Sequence, residues 1–175
     1  MINPLFRGTG VALITPFLDD SVDLSALTQI IEFQIANGVN FLISLGTTGE
    51  ATALDFEESK TVLQHTIDVV DSRVPVVAGM FGGNNTAQLI RKVQDFDFTG
   101  VAAILSSSPS YVKPTQDGIF AHYAAIEKVS PVPIIIYNVP SRTASNINAQ
   151  TIIRLARHSS KFVAVKDASG DMDQA

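Results

Sequence analysis

The sequence predicts an α/β fold built on a parallel sheet, and three observations carry that prediction. Apolar runs of strand length alternate with segments of helical periodicity. The strand-helix unit recurs at a spacing of roughly 30 residues, the length of a βαβ unit. The apolar runs are unbroken, as expected of strands covered on both faces by crossover helices. Two architectures satisfy the pattern: a doubly wound open sheet, or the first six strands of a (β/α)8 TIM barrel, which typically needs about 250 residues. Gly8-Thr9-Gly10 precedes the first strand rather than following it, so there is no dinucleotide fingerprint and the barrel is favoured. Residues 1–175 then form a single domain, the N-terminal three-quarters of a (β/α)8 barrel. Truncation is expected, because 171–175 reads as a helix just starting, with no C-terminal cap.

Each element has its own signal. Val11-Ala12-Leu13-Ile14 reads as the first strand, closed by Thr15-Pro16. Asp23 is a plausible N-cap for a helix carrying Leu24, Leu27, Ile31 and Ile35, which Asn37-Gly38 ends. Phe41–Leu45 is the second strand and runs into Gly46-Thr47-Thr48-Gly49-Glu50. Asp55 with Glu58 resembles a capping box, before a stripe of Leu63, Ile67 and Val70. Pro75–Ala78 is the third strand, and Thr86 is expected to cap a helix facing inward with Leu89, Ile90, Val93 and Phe96. Val101–Leu105 is the fourth strand, followed by Ser106–Tyr111 and a helix over 116–129 bearing Ile119, Phe120, Tyr123 and Ile126. The fifth strand, Pro133–Tyr137, ends on a phenol. Asn148 caps a helix bearing Ile152, Ile153 and Leu155, and the sixth strand ends on Lys166.

Composition narrows the function. Apolar residues make up 46% and charged residues 17%, so there is ample core material and little sign of disorder. The net charge is -5 with no basic run, which argues against nucleic acid and anionic membrane surfaces as partners. With no cysteine there are no disulfides, thiolate metal sites or cysteine nucleophiles. His65, His122 and His158 are too scattered for a metal site and read as packing or helix-surface residues. No apolar stretch approaches membrane length and no charged-then-apolar leader opens the chain, so a cytoplasmic location is expected.

If six strands run the same way, their C-terminal ends share one face. Thr47, Thr48, Tyr111, Tyr137, Arg142 and Lys166 all fall there, where both candidate folds place their sites. Each has a bland reading and a chemical one. Lys166 is either a strand-end lysine reaching solvent or a desolvated amine that attacks a ketone. Tyr137 is either a core tyrosine or a proton carrier beside that amine. Thr47 and Thr48 lie in a strand-to-helix turn whose amides and hydroxyls suit a small carboxylate. Arg142 is a surface arginine or a carboxylate clamp. Tyr111, in a Ser/Pro loop, reads as surface packing.

Gly46-Thr47-Thr48-Gly49-Glu50, Ser108-Pro109-Ser110-Tyr111, Tyr137-Asn138-Val139-Pro140-Ser141-Arg142-Thr143 and Val165-Lys166-Asp167-Ala168-Ser169-Gly170 together resemble the dihydrodipicolinate synthase family, in order and spacing, across the whole chain. The resemblance implies a (β/α)8 barrel and a lyase/synthase of lysine and diaminopimelate biosynthesis. It implies that Lys166 forms a Schiff base with pyruvate and that Thr48 helps hold the pyruvate carboxylate. Tyr137, Thr47 and Tyr111 would relay protons, with Tyr111 reaching into a neighbouring subunit. Arg142 would bind the carboxylate of aspartate semialdehyde. Neither metal nor organic cofactor is implied, since the lysine is the electron sink. A dimer of dimers is the implied assembly.

Two departures stand out. Ala144 replaces the glycine that usually follows Ser-Arg-Thr, and the seventh and eighth strands are missing. A sister activity, N-acetylneuraminate lyase or a keto-deoxy sugar-acid aldolase, would use the same lysine; Arg142 argues against it, because those enzymes generally lack an arginine there. A catalytically inactive barrel fragment is the third reading. At the positions matching the family's lysine-inhibition pocket stand Phe56, Ser59, Gln88 and Ser110, so weak or absent inhibition by lysine is expected.

Overall fold

A computed structural model describes residues 4–174. A 3₁₀ turn at Pro4–Phe6 precedes β1 (Gly10–Ala12), β2 (Phe17–Leu18), β3 (Ser21–Val22), α1 (Leu24–Ala36), β4 (Phe41–Ser44) and α2 (Phe56–Val70). There follow β5 (Val76–Ala78), α3 (Thr86–Asp95), β6 (Val101–Ser107), α4 (Gln116–Val129) and β7 (Ile134–Asn138). The single-turn helix α5 (Pro140–Thr143), α6 (Ala149–His158) and β8 (Phe162–Asp167) complete the described chain. All six strands read from the sequence are present. The contacts divide into two compact units: one runs to Met80 and includes Thr99–Ile104, and the other comprises Phe81–Phe98 and the chain from Leu105.

In the first unit the ladder runs β1-β4-β5-β6, every pair parallel. Leu42, Val77 and Ala103 are fully buried in it, and Leu27, Ile31, Val62 and Leu63 cover it from α1 and α2. Burial of such side chains contributes about 1.5–3 kcal/mol each. The helices start where capping chemistry allows. Asp23 accepts from the Ala26 amide at 2.9 Å, and Asp55 and Glu58 form a reciprocal capping box; a cap of this kind is worth about 1 kcal/mol. The first strand is shorter than expected, since Leu13 and Ile14 lie outside it. The periodicity also missed a small hairpin. Phe17–Leu18 pairs antiparallel with Ser21–Val22, around Asp19 and Asp20 at φ 48° and 60°. Two left-handed residues make the tight primed turn that usually carries Asn-Gly or Asp-Gly.

In the second unit, Leu89 and Val93 of α3, Ile119, Tyr123 and Ile126 of α4, and Leu155 of α6 are buried. Asn85, not Thr86, caps α3, accepting from the Gln88 amide at 3.0 Å. Thr86 is the first helical residue and instead meets the ring of His122 at 2.8 Å. On α6 the buried face is Thr151 and Leu155, while Ile153 is exposed. Residues 172–174 form a hydrogen-bonded turn rather than a helix. Phe81, Phe96 and Phe98 pack edge-on and tilted at centroid distances of 5.1–5.3 Å. Lys92 lies 5.5 Å from the Phe81 ring centroid, and burial pushes its amine below the usual lysine range.

Candidate active site

β7 is apolar until its last two residues, and all five positions are buried. It pairs parallel with β8, but the register shifts once: Ile134 faces Phe162, and Ile135 faces Ala164. The one-residue bulge at Val163 decides the site. Beyond it Tyr137 stands opposite Lys166 and Asn138 opposite Asp167; without it Tyr137 would face Val165, because a slip of one residue exchanges the two faces of a strand. Tyr137 is 8% exposed and Lys166 is half-buried. Lys166 Nζ sits 4.7 Å from the Tyr137 ring centroid. Among the described residues no carboxylate reaches ion-pair distance of Lys166. The amine therefore rests against an aromatic face instead of a fixed anion.

Past β7 the chain turns sharply. Pro140 opens α5, where its missing amide costs nothing, and Arg142 is exposed on that turn. Ala144 closes it in the left-handed region, φ 56°, with its amide donating to Pro140 O at 2.8 Å. The Tyr111 loop is tied to the same turn, since the Tyr111 amide donates to Thr143 O at 3.0 Å. Ser110 anchors the loop from the other side: its amide and hydroxyl both donate to Asn84 Oδ1, at 2.6 and 3.0 Å. Tyr111 itself is 87% exposed at φ 67°. Tyr137, Lys166, Arg142 and Tyr111 thus all belong to the second unit, around the ends of β7 and β8 and the α5 turn.

Thr47 and Thr48 belong to the first unit. Both are exposed, in a turn closed by the Gly49 amide on Gly46 O and the Glu50 amide on Thr47 O, each 3.1 Å. Two contacts hold this turn. Thr15 Oγ1 donates to Gly49 O at 2.7 Å. Gly79 lies so close beneath it that a Cβ there would fall 2.6 Å from both Gly46 N and Leu45 O, so only glycine fits. The turn stands ahead of the helix, which starts at the Asp55–Glu58 capping box as the sequence predicts. α2 begins at Phe56, after a further turn in which Ala53 donates to Glu50 O. Any anion held here is held by local amides and hydroxyls, not by a helix end.

Sequence reasoning passed over Asn138, which is 0% exposed and binds Asn146, Ile147 and Asp167 through its side chain. An asparagine ending an apolar run was the available signal. Burial pushes the Asp167 carboxyl up, but hydrogen bonds from Ser169, Asn138 and Gln174 outweigh it and hold the group below the usual carboxylate range. The histidines are packing groups: His65 meets Thr28 at 2.8 Å, His122 meets Thr86, and His158 lies edge-on to Phe120. Among the described residues there is no group of three or more potential metal ligands, and no helix long and apolar enough to cross a membrane.

Comparison with known proteins bears on the family and the fold. The model of the dihydrodipicolinate synthetase family matches residues 5–175. The 4-hydroxy-tetrahydrodipicolinate synthase of Azobacteroides pseudotrichonymphae is 47% identical over 171 residues, which cover 97% of this chain and 57% of that protein. The enzyme of the same name from Cytophaga hutchinsonii is 48% identical, over 97% of this chain and 57% of its own. The chain therefore spans a little over half the length of these curated relatives. The crystal structure of the chloride-inhibited dihydrodipicolinate synthase from Acinetobacter baumannii, complexed with pyruvate, matches with a TM-score of 0.90 at 39% identity, over 95% of this chain and 57% of that one. The fold class is the (β/α)8 barrel read from the sequence, with six of its strands in this chain.

Proposed function

The chain belongs to the dihydrodipicolinate synthetase family, and on that premise we propose that its site condenses pyruvate with aspartate semialdehyde to 4-hydroxy-tetrahydrodipicolinate. The observation that carries the reading is the pairing of Tyr137 with Lys166 at the ends of two registered strands. The neutral Lys166 amine adds to the ketone carbon of pyruvate, and the oxygen takes up a proton to give a carbinolamine. Loss of water leaves the imine, and loss of a methyl proton gives the enamine. The enamine carbon attacks the aldehyde carbon, whose oxygen is protonated to the 4-hydroxyl. The semialdehyde's own amine then displaces Lys166 from the imine carbon and closes the ring, for a net loss of one water.

Tyr137, Thr47 and Tyr111 carry the protons in this scheme, Thr48 holds the pyruvate carboxylate, and Arg142 holds that of the semialdehyde. A guanidinium fork suits a carboxylate bidentately, and the exposure of Arg142 on α5 leaves its fork available. The roles of Thr47 and Thr48 rest on the family motif. A homo-oligomer, a dimer of dimers, and a cytoplasmic location complete the reading.

The test is reductive trapping in the full-length protein. Borohydride with pyruvate should add a pyruvate-sized mass to the peptide containing Lys166. Lys166→Arg should trap nothing, because a guanidinium does not deprotonate to a nucleophile. An unchanged mass at Lys166 in folded protein defeats the proposal. Turnover of a hydroxylated sugar aldehyde in place of aspartate semialdehyde would move the assignment to the sugar-acid lyases that share this lysine.

A further inference from the structure

We propose that Asn138 is a positioning residue: its side chain clips the end of β7 to the end of β8 and so holds Tyr137 opposite Lys166. The proposal rests on the roles given above to those two residues. Asn138 Nδ2 donates to Asp167 Oδ2 at 3.1 Å and to Asn146 Oδ1 at 2.9 Å, while Oδ1 accepts from the Ile147 amide at 3.0 Å. Its backbone carbonyl accepts from the Ala168 amide at 2.8 Å. The orientation of the amide is dictated by its partners, since a backbone N–H only donates and a carboxylate only accepts.

The need for a clip follows from the bulge. Four residue pairs follow it, ending in Tyr137 with Lys166 and Asn138 with Asp167. Slippage by one residue on so short a run would bring Val165 or Asp167 against Tyr137 and turn Lys166 to the other face. Backbone ladder bonds do not distinguish these registers, whereas a side-chain bond between Asn138 and Asp167 exists in only one. Asp167 is itself fixed, accepting from the Ser169 amide at 2.7 Å and Gln174 Nε2 at 3.3 Å. Gln174 also accepts from Asn146 Nδ2 at 2.7 Å, so the network closes on itself. Removing the Asn138 side chain leaves the buried Ile147 amide without its acceptor and frees the β8 end.

The experiment measures the rate of borohydride trapping with pyruvate, per folded molecule of the full-length protein, through a double-mutant cycle. Asn138→Ala should slow trapping about tenfold or more, in line with the cost of misplacing a reacting group by a fraction of an ångström. In a Tyr137→Phe background the same substitution should cost less than about threefold, because the juxtaposition it protects has already lost its partner. A residue that only stabilises the fold costs the same in both backgrounds, and equal costs overturn the proposal. Should Asn138→Ala fail to fold, exposed Asp167 tests the same bond. Asp167→Ala should reproduce the loss, and Asp167→Asn, which keeps an oxygen for Asn138 Nδ2, should run at least fivefold faster than Asp167→Ala. If Asp167→Ala traps as fast as wild type, the clip has no catalytic role. A wild-type protein that traps no pyruvate overturns the Schiff-base reading as well, so the two failures are distinct.

Discussion

Ala144 ends the α5 turn at φ 56°, where an L-residue with a Cβ is crowded by its own carbonyl. That cost is about 1 kcal/mol, and glycine avoids it, while giving back part of the gain through a more flexible unfolded chain. Ala144→Gly should therefore raise Tm by about 1–2 °C, and Ala144→Val should lower it; calorimetry of the full-length protein decides. The departure noticed in the sequence thus has a physical meaning that composition could not supply, because a left-handed φ is invisible until the turn is seen. Lys166 and Tyr137 were legible for the opposite reason. Each ends an unbroken apolar run, and a polar group at such a place is conspicuous. Their register was not legible, since it depends on the bulge at Val163, and nothing in a run of Phe, Val and Ala marks where the extra residue falls.

Helix α4 meets α3 through a polar contact inside an otherwise apolar seam. His122 is 3% exposed, one ring nitrogen meets Thr86 Oγ1, and Nε2 has no hydrogen-bond partner among the described residues. Burial pushes its pKa down from 6.5 to about 4. The sign follows from linkage: the unfolded chain takes up this proton below pH 6.5, while the folded chain resists until about pH 4. Stability from this group is fully present above pH 6.5, is lost as pH falls toward 4, and is flat below; the window corresponds to about 3 kcal/mol. His122→Gln should flatten the difference in denaturant midpoint between pH 7 and pH 4.5 relative to wild type. An unchanged slope would show that carboxylates alone set the acid limit. The helices themselves were well marked, because Asp23, Asp55 with Glu58, and Asn148 cap by chemistry local to a few residues. Asn85 displaced Thr86 as a cap by one position, and the Asp19-Asp20 turn carries no glycine to announce itself.

At the scale of the whole molecule, the exposed Tyr111 loop suits a surface that a partner covers. Tyr111 is 87% exposed and Val112 60%, on a loop with left-handed backbone at both Tyr111 and Lys113. Such backbone is costly and persists where its surroundings hold it. Here the Ser110 bonds to Asn84 and the Tyr111 bond to Thr143 hold it. A strained loop anchored on both sides so as to present an aromatic ring to water suits a partner surface, and the proposed partner is a second copy of the chain, the ring approaching that copy's site. On the proposed function, the apolar part of Tyr111 would serve assembly and its hydroxyl proton transfer, and the two are separable. Tyr111→Phe should leave the sedimentation coefficient of the full-length protein unchanged while lowering kcat about 10²-fold, the usual scale for losing one proton carrier. Tyr111→Ala should weaken assembly as well, shifting the sedimentation profile toward smaller species at low protein concentration. Mixing Tyr111→Phe with Lys166→Arg chains, both nearly inactive alone, should restore part of the activity, because in some sites an intact Tyr111 from one chain would face an intact Lys166 from the other. A mixture no more active than its components, with exchange of subunits verified, would place the Tyr111 hydroxyl in its own chain's site.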